Sequence, residues 1–378
     1  MIYFDSAATT LEKPASVPAA TARAMTRLAS PGRGGHRAGL AAAELIYNMR
    51  EQAAKLFHVS DLENVVLTGN ATHGLNIAIR SLVKEGGTVV ISGYEHNAVT
   101  RPLHAIPGVT VKVAAGQLFD ADSVYAAFER EVTPEVDAVI CNHVSNVFGF
   151  IQPVDRIARL CRERVVPLIV DASQSAGILP VDMEGWGAAF IAMPGHKGLY
   201  GPQGTGLLLC SGETTPLLFG GTGSLSARQE MPDFLPDRLE AGTQNVCGAA
   251  GLLAGMNFVS GQGTERIHAH ECKLARYMMD RLERIPGVTV FRGGQHQSGL
   301  FSLTVDGLDC ENAAEELARR DVAVRSGLHC APLAHKSAGT VDTGTVRFSF
   351  SAFNRAEQVD QAAAMLRQIV KKARHNRA

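Results

Sequence analysis

Met193-Pro194-Gly195-His196-Lys197-Gly198-Leu199-Tyr200-Gly201-Pro202-Gln203-Gly204 follows the apolar run Ala188-Ala189-Phe190-Ile191-Ala192 and sets a lysine in a glycine-rich turn at the abrupt end of a buried strand. No carboxylate lies within four residues of Lys197 on either side. A lysine in such surroundings loses the hydration that favours its charged form, and the neutral amine is then available as a nucleophile toward a carbonyl. The ordinary alternative is a head group that snorkels out of the turn to water. Neighbouring motifs decide between the two.

Upstream, Val165-Val166-Pro167-Leu168-Ile169-Val170 is a near-continuous apolar run of parallel-strand type that stops at Asp171, before Ala172-Ser173-Gln174-Ser175. An acid at the carboxyl end of such a strand sits where open α/β sheets bind ligands. A pyridoxal phosphate site needs both groups: a lysine to bond the cofactor's carbonyl carbon, and an acid to keep the pyridine nitrogen protonated so that the ring accepts electrons. Taken singly, Asp171 reads as well as a turn or capping residue. With Lys197 one strand further on, the cofactor reading is the stronger. A cradle for its phosphate is available in Leu67-Thr68-Gly69-Asn70-Ala71-Thr72-His73-Gly74, between a strand at 64–68 and an apolar-periodic helix. Free N–H groups at a helix start bind anions, and the Thr72 hydroxyl adds a donor.

The ordered set of motifs resembles the class V aminotransferase group of fold-type I pyridoxal phosphate enzymes, and within it the cysteine desulfurase and selenocysteine lyase branch. The resemblance runs nearly end to end, from Tyr3-Phe4-Asp5-Ser6-Ala7-Ala8-Thr9-Thr10 through Arg325-Ser326-Gly327-Leu328-His329-Cys330-Ala331 to Arg347-Phe348-Ser349. It implies that Lys197 is the lysine joined to the cofactor and Asp171 the partner of its ring nitrogen. Gln174 and Asn146, the latter in His143-Val144-Ser145-Asn146-Val147-Phe148-Gly149, match groups at the ring's phenolic oxygen. His96, in Tyr94-Glu95-His96-Asn97, matches a histidine that stacks on the ring; without the motif it reads as a polar loop residue. Stacked there, its imidazole could also exchange protons with a substrate. Ala71, Thr72 and His196 match the phosphate site, and Thr243, in Arg238-Leu239-Glu240-Ala241-Gly242-Thr243, matches a threonine that reaches the phosphate of a neighbouring subunit. This implies a homodimer with shared sites.

The distal half narrows the reaction. Cys330 follows the strand-like Asp321-Val322-Ala323-Val324-Arg325 and lies in a polar, glycine-punctuated loop, 326–344, which argues for exposure rather than the burial usual for a lone cysteine. Arg325 and His329 beside it are neighbours that favour the thiolate, the form that attacks sulfur. By resemblance Cys330 is the nucleophile that receives the substrate's sulfur as a persulfide. Arg347, inside the apolar Thr345-Val346-Arg347-Phe348-Ser349, matches the arginine that clamps the substrate carboxylate, a task its planar fork suits. Ala7, Arg325 and His36 are matched to the substrate site in the same way, His36 through the Arg-Gly-x-His element in the segment 30–39. The implied reaction removes the γ-sulfur of L-cysteine, leaves L-alanine, and passes the persulfide sulfur to an acceptor protein. Selenocysteine lyase, another C–S lyase or an aminotransferase are the alternatives within the fold, and a cofactor-binding protein without turnover is the alternative outside enzymology.

Several positions depart from the family pattern. Pro194 stands where a hydroxyl residue usually contacts the phosphate, so one phosphate hydrogen bond is expected to be missing. His73 replaces a common glutamate, Asn97 a common histidine or lysine, and Leu328 the first of two adjacent histidines.

Composition is compatible with this reading. A chain of 378 residues, 46% hydrophobic, can bury a large core, and its net charge of −1 offers no electrostatic footprint for nucleic acid or an anionic membrane. No apolar stretch approaches roughly 18 residues and no apolar leader precedes Asp5, so a soluble, cytoplasmic protein is expected. Seven cysteines without a C-x-x-C pair suggest neither a disulfide framework nor a zinc site, and no metal is expected. Strands near Val65, Val89, Val111, Val139, Leu168, Ile191 and Leu208 alternate with helices at 71–83, 120–131 and 153–164. That alternation predicts an α/β, doubly wound, mostly parallel seven-stranded sheet. The helix-rich stretch 247–284, broken at Gly261-Gln262-Gly263, leads to strands near Val290, Phe301, Val324 and Phe348 with helices at 309–320 and 355–373, a smaller α+β layer. The expected division is a large cofactor-binding domain at 16–258, with 1–15 and 259–378 forming a small domain that carries the cysteine loop.

Overall fold

The computed structural model describes residues 1–31 and 35–375. Its strands, in chain order, are β1 (Ile2–Tyr3), β2 (Val65–Thr68), β3 (Thr88–Ser92), β4 (Thr110–Ala114), β5 (Ala138–Asn142), β6 (Leu168–Asp171), β7 (Phe190–Pro194), β8 (Gly206–Cys210), β9 (Val288–Val290), β10 (Leu300–Val305), β11 (Val322–Ala323), β12 (Arg325–Gly327) and β13 (Thr345–Ser349).

Seven of them form one sheet in the order β2-β8-β7-β6-β5-β3-β4. Only β8 runs antiparallel to its neighbours β2 and β7. The parallel strands are apolar on both faces because alternate residues feed opposite cores. Ala138, Ile140, Ile169, Phe190 and Ala192 pack on one side, and Val139, Cys141, Leu168, Val170, Ile191 and Met193 on the other. Helices Ala71–Leu82, Asn97–His104, Ala121–Glu131 and Val154–Arg164 connect successive strands. The carboxyl ends of β5, β6 and β7 therefore converge, and the register sets Asn142 beside Asp171 and Asp171 beside Ala192. That edge carries the site.

A second sheet, antiparallel, has the order β12-β13-β10-β9, and β1 pairs in parallel with β11. Its core joins Phe4 to Leu274, Met278, Phe301, Leu317, Val346, Phe348 and Leu366. Helices Thr264–Leu282, Cys310–Ala318 and Ala356–His375 cover it. The N-terminal segment thus belongs to the same core as the distal half. Gly263, at φ +83°, ends the helix Val246–Gln262 and admits the chain to the next, a backbone conformation that side chains rarely take.

Three local expectations change. The run at 165–170 enters the sheet only at Leu168; Val165 ends the preceding helix in a left-handed conformation with 89% of its surface exposed. The stretch at 321–325 is two short strands in different sheets rather than one. The loop at 326–344 contains a helix, Pro332–Ala338, opened by the proline at its first position. Among the described residues no helix is long and apolar enough to cross a membrane.

Candidate active site

Lys197 sits where β7 has ended, and its turn is pressed against the turn after β6. A Cβ at Gly198 would collide with the Ala176 carbonyl oxygen, and one at Gly177 with the Gly198 carbonyl. Only glycines permit that approach, which brings Lys197 to the same cavity as Asp171. The cavity, about 100 Å³, is also lined by Ala71, Thr72, His96, Asn146, Gln174, Pro194 and His196. Eight of the residues assigned from sequence therefore meet at one place.

Burial pushes the Lys197 amine down to about 8, with Arg347 and Arg325 acting in the same direction and Asp171 against it. Lys197 is half-buried, lines the cavity that also holds Asp171, and has no ion pair among the described residues. Asp171 is buried, and one carboxylate oxygen accepts the Ser173 N–H at 2.9 Å while the other has no protein partner among the described residues. An acid with one oxygen free toward the cavity fits a protonated ring nitrogen. His96 both caps the helix Asn97–His104 and lines the cavity. Its Nδ1 accepts the Ala98 N–H at 3.0 Å, so the proton of the neutral ring belongs on Nε2. Burial lowers its basicity, an effect that Asp171 opposes and Lys197 reinforces, so the imidazole is neutral near pH 7.

The anion end is the start of the helix Ala71–Leu82. Asn70 caps it by accepting the His73 N–H, which leaves the N–H groups of Ala71 and Thr72 directed outward. Across the cavity, burial together with Lys197 and Lys13 lowers His196 to about 4, and its Nδ1 is buried without a partner. Pro194 closes β7 opposite Gly206 and contributes no donor, as its ring requires. Two helix N–H groups, a hydroxyl and an orphaned imidazole nitrogen suit a phosphate, while Asp171 and Lys197 suit the ring end. These residues fit pyridoxal phosphate.

Gln174 donates its amide to the Ala7 carbonyl at 3.0 Å, and Ala7 in turn donates its N–H to Ser349 Oγ at 2.9 Å. Asn146 donates Nδ2 to the His329 carbonyl at 2.8 Å, leaving Oδ1 buried and unpaired. Cys330 is exposed, and its carbonyl accepts the Asn97 N–H at 2.7 Å. His329 and Cys330 both have positive φ, 49° and 56°, a conformation costly for side chains. Contacts from the cavity wall on two successive carbonyls hold that strained turn.

One expectation around this turn changes. His329 does not bring charge to the thiol: burial and Arg347 hold its imidazole down at about 2, and its Nε2 faces the Thr345 carbonyl and hydroxyl. Arg347 is buried, as expected, but its fork is already engaged, with Nη2 at 2.8 Å from Asp5 Oδ1 and Nη1 at 2.8 Å from the Asn146 carbonyl. Arg325 is half-exposed and stands 3.9 Å from Asp5.

Thr243 and His36 do not join this cavity; they line a separate groove with Arg50, Thr222 and Asp237. Of the Arg-Gly-x-His element, residues 32–34 lie outside the described residues. A threonine that serves a neighbouring subunit is expected to lie apart from its own chain's lysine.

A family profile described as Aminotransferase class-V matches residues 2–362. The chain belongs to the class-V aminotransferase family. Within that family, a protein of Methanothermobacter thermautotrophicus named a probable cysteine desulfurase is 32% identical, covering 97% of this chain and 94% of its own. Another so named, from Halalkalibacterium halodurans, is 31% identical over 96% of this chain and 91% of its own. The apo structure of a cysteine desulfurase from Thermococcus onnurineus superposes with a TM-score of 0.90 at 30% identity, covering 98% and 95% of the two chains. The mostly parallel sheet of this class-V chain is that of fold type I.

Two residues at the site were not assigned a role from sequence. Asp5 holds Arg347, and its signal was a carboxylate directly after the apolar Tyr3-Phe4. Glu95, next to His96, is fully buried; it accepts the Ser92 hydroxyl at 2.5 Å and the Asn142 N–H at 2.7 Å, and its Oε2 has no partner. Burial lifts its carboxyl to about 8.

Proposed function

We propose that this chain is a pyridoxal phosphate-dependent cysteine desulfurase that converts L-cysteine to L-alanine and holds the released sulfur as a persulfide on Cys330. The observation that carries the reading is the meeting of Lys197 and Asp171 in one cavity, with the exposed Cys330 turn tied to that cavity's wall through Asn97 and Asn146. The names of the relatives favour it.

Bound in this cavity, pyridoxal phosphate supplies an electron sink for the pair left when a proton leaves the substrate's Cα. Asp171 would hold the ring nitrogen's proton, Ala71, Thr72 and His196 the phosphate, Gln174 and Asn146 the phenolic side, and neutral His96 one face of the ring. Lys197, its amine lowered to about 8, keeps a neutral fraction near neutral pH and takes the Cα proton. Arg347 orients the carboxylate, and Ala7 and Arg325 border the substrate's approach. The Cys330 thiolate attacks the γ-sulfur; an S–S bond forms, the Cβ–Sγ bond breaks, Cβ takes a proton, and Lys197 returns a proton to Cα to give alanine. An exposed cysteine on a strained turn then offers its sulfur to an acceptor protein.

We further infer a homodimer in which Thr243 of one subunit completes the phosphate site of the other, a reading supported by Thr243 lying apart from its own chain's cavity. Two main cores, the first of which also takes in Ala331 and Ala334, support a large domain at 16–258 and a small one formed by 1–15 and 259–378. Seven free cysteines suit a reducing, cytoplasmic setting.

The test is a Cys330→Ala variant loaded with cofactor and given L-cysteine or L-selenocysteine in turn. Alanine formation from cysteine is expected to stop; unchanged turnover refutes the nucleophile. Alanine formed only from selenocysteine would show that the better leaving atom needs no thiolate.

A further inference from the structure

Arg325 and Arg347 stand directly opposite each other on the antiparallel strands β12 and β13. Like charges so placed repel. A single carboxylate serves both: Asp5 Oδ1 is 2.8 Å from Arg347 Nη2, and Asp5 Oδ2 is 3.9 Å from Arg325 Nη1. Among the described residues no second acid pairs with either arginine. Two guanidinium groups thus share one anion, and the cluster is one negative charge short of balance.

Both Nη atoms of Arg347 are already engaged. Nη1 donates to the Asn146 carbonyl, Nη2 to Asp5, and Nε is buried without a partner. A substrate carboxylate that takes a bidentate hold on the two Nη atoms competes with these two acceptors. The Asn146 carbonyl is main chain, and its neighbours Ser145 and Val147 are fixed by hydrogen bonds to Phe150 and Ser302. Asp5 is a short side chain, and Oδ2 already leans toward Arg325. Its backbone is held, since the Asp5 carbonyl accepts the Ala8 N–H and the Tyr3 hydroxyl, so only the carboxylate is free to swing.

We propose that Asp5 is an exchangeable stand-in for the substrate's carboxylate: it pairs with Arg347 while no amino acid is bound and moves onto Arg325 when the incoming carboxylate takes its place. The proposal rests on the reading of Arg347 as the carboxylate-binding residue. The exchange leaves two cations facing two anions. Arg347, only 3% exposed, is never left as a buried unpaired charge, which would be strongly destabilising. Arg325, 49% exposed, can wait half-paired because water covers it. Asp5 would therefore set how tightly the site holds a carboxylate and would act as a positioning residue rather than a catalytic one.

Calorimetric titration with propionate, a carboxylate without an amine, tests this on the cofactor-loaded protein. Asp5→Asn is expected to bind propionate about tenfold more tightly than the wild type, the effect of removing one competing charge-assisted hydrogen bond. Arg325→Gln should bind it more weakly, because Asp5 loses its second partner. Arg347→Gln should not bind it. Equal or weaker binding by Asp5→Asn, with binding lost in Arg347→Gln, overturns the exchange alone. Wild-type affinity in Arg347→Gln overturns the carboxylate assignment and the exchange with it. A propionate-soaked wild-type crystal reads the same point without a variant: Asp5 within hydrogen-bond reach of Arg325 supports the exchange, and Asp5 still on Arg347 contradicts it.

Discussion

The turn that carries Lys197 and the turn that carries Cys330 are built on opposite principles. The first lies between buried strands, and at Gly198 and Gly201 neighbouring carbonyls leave no room for a Cβ. The second exposes Cys330 but buries His329, and places both in the left-handed region, with no glycine where one would be easiest. The lysine turn places a base rigidly, and close packing supplies the rigidity. On the proposed reading the cysteine turn presents a sulfur to the substrate and then to an acceptor, and it is held by contacts on two carbonyls and by the buried His329.

The largest effect expected from this contrast is on the lysine. Lys197→Ala should lower alanine formation by ~10²–10⁴-fold, the range for loss of a positioned base. Its stability should respond to pH in a defined sense. The folded amine titrates near 8 and the unfolded one at 10.5, so between these values the unfolded chain binds more protons and stability rises with pH. Melting curves of the cofactor-free protein should show that rise, and Lys197→Met should remove it.

Next come the turns themselves. Gly198→Ala should destabilise the protein by about 1–3 kcal/mol in chemical denaturation, the usual cost of overpacking, and weaken cofactor retention. Cys330→Gly should leave stability unchanged or raise it by about 1 kcal/mol, because glycine relieves a left-handed residue. A destabilised Cys330→Gly would mean that the turn is held by its side chains.

Much of the lysine turn was legible because burial and glycine spacing are written locally. Asp171, Lys197, Thr72 and His96 each end or follow an apolar run, and the structure gathers all four in one cavity. The cysteine turn was legible only as an exposed loop. That His329 would be buried depends on Thr345, and that Arg347 would be engaged depends on Asp5, 342 residues away; such pairings leave no local trace. Thr243 was placed in a neighbouring subunit by resemblance, and its position in a separate groove is a geometric fact that no spacing foretells.

A moderate effect is expected at Glu95, which lies beneath the site. Its carboxyl titrates near 8 in the fold and at 4.5 when exposed to water in the unfolded chain, so the folded protein binds the extra proton between these values and loses stability as pH rises through them. Glu95→Gln, a mimic of the neutral acid, should abolish that loss and raise the melting temperature at pH 8 by about 2–4 °C. The smallest effect concerns the missing donor. Pro194→Ser should slow cofactor release about twofold to tenfold, the value of one hydrogen bond, as followed by the cofactor's absorbance during dialysis. No change there would mean that the helix start and His196 already saturate the phosphate.

The most direct measurement maps sulfur after a single turnover. The cofactor-loaded protein is mixed with L-cysteine, trapped with an alkylating agent, digested and weighed peptide by peptide. One added sulfur atom is expected on the peptide containing Cys330, in step with the alanine formed, and none on the peptides of the other six cysteines. Alanine released without sulfur on Cys330, or sulfur appearing on another cysteine, would contradict it.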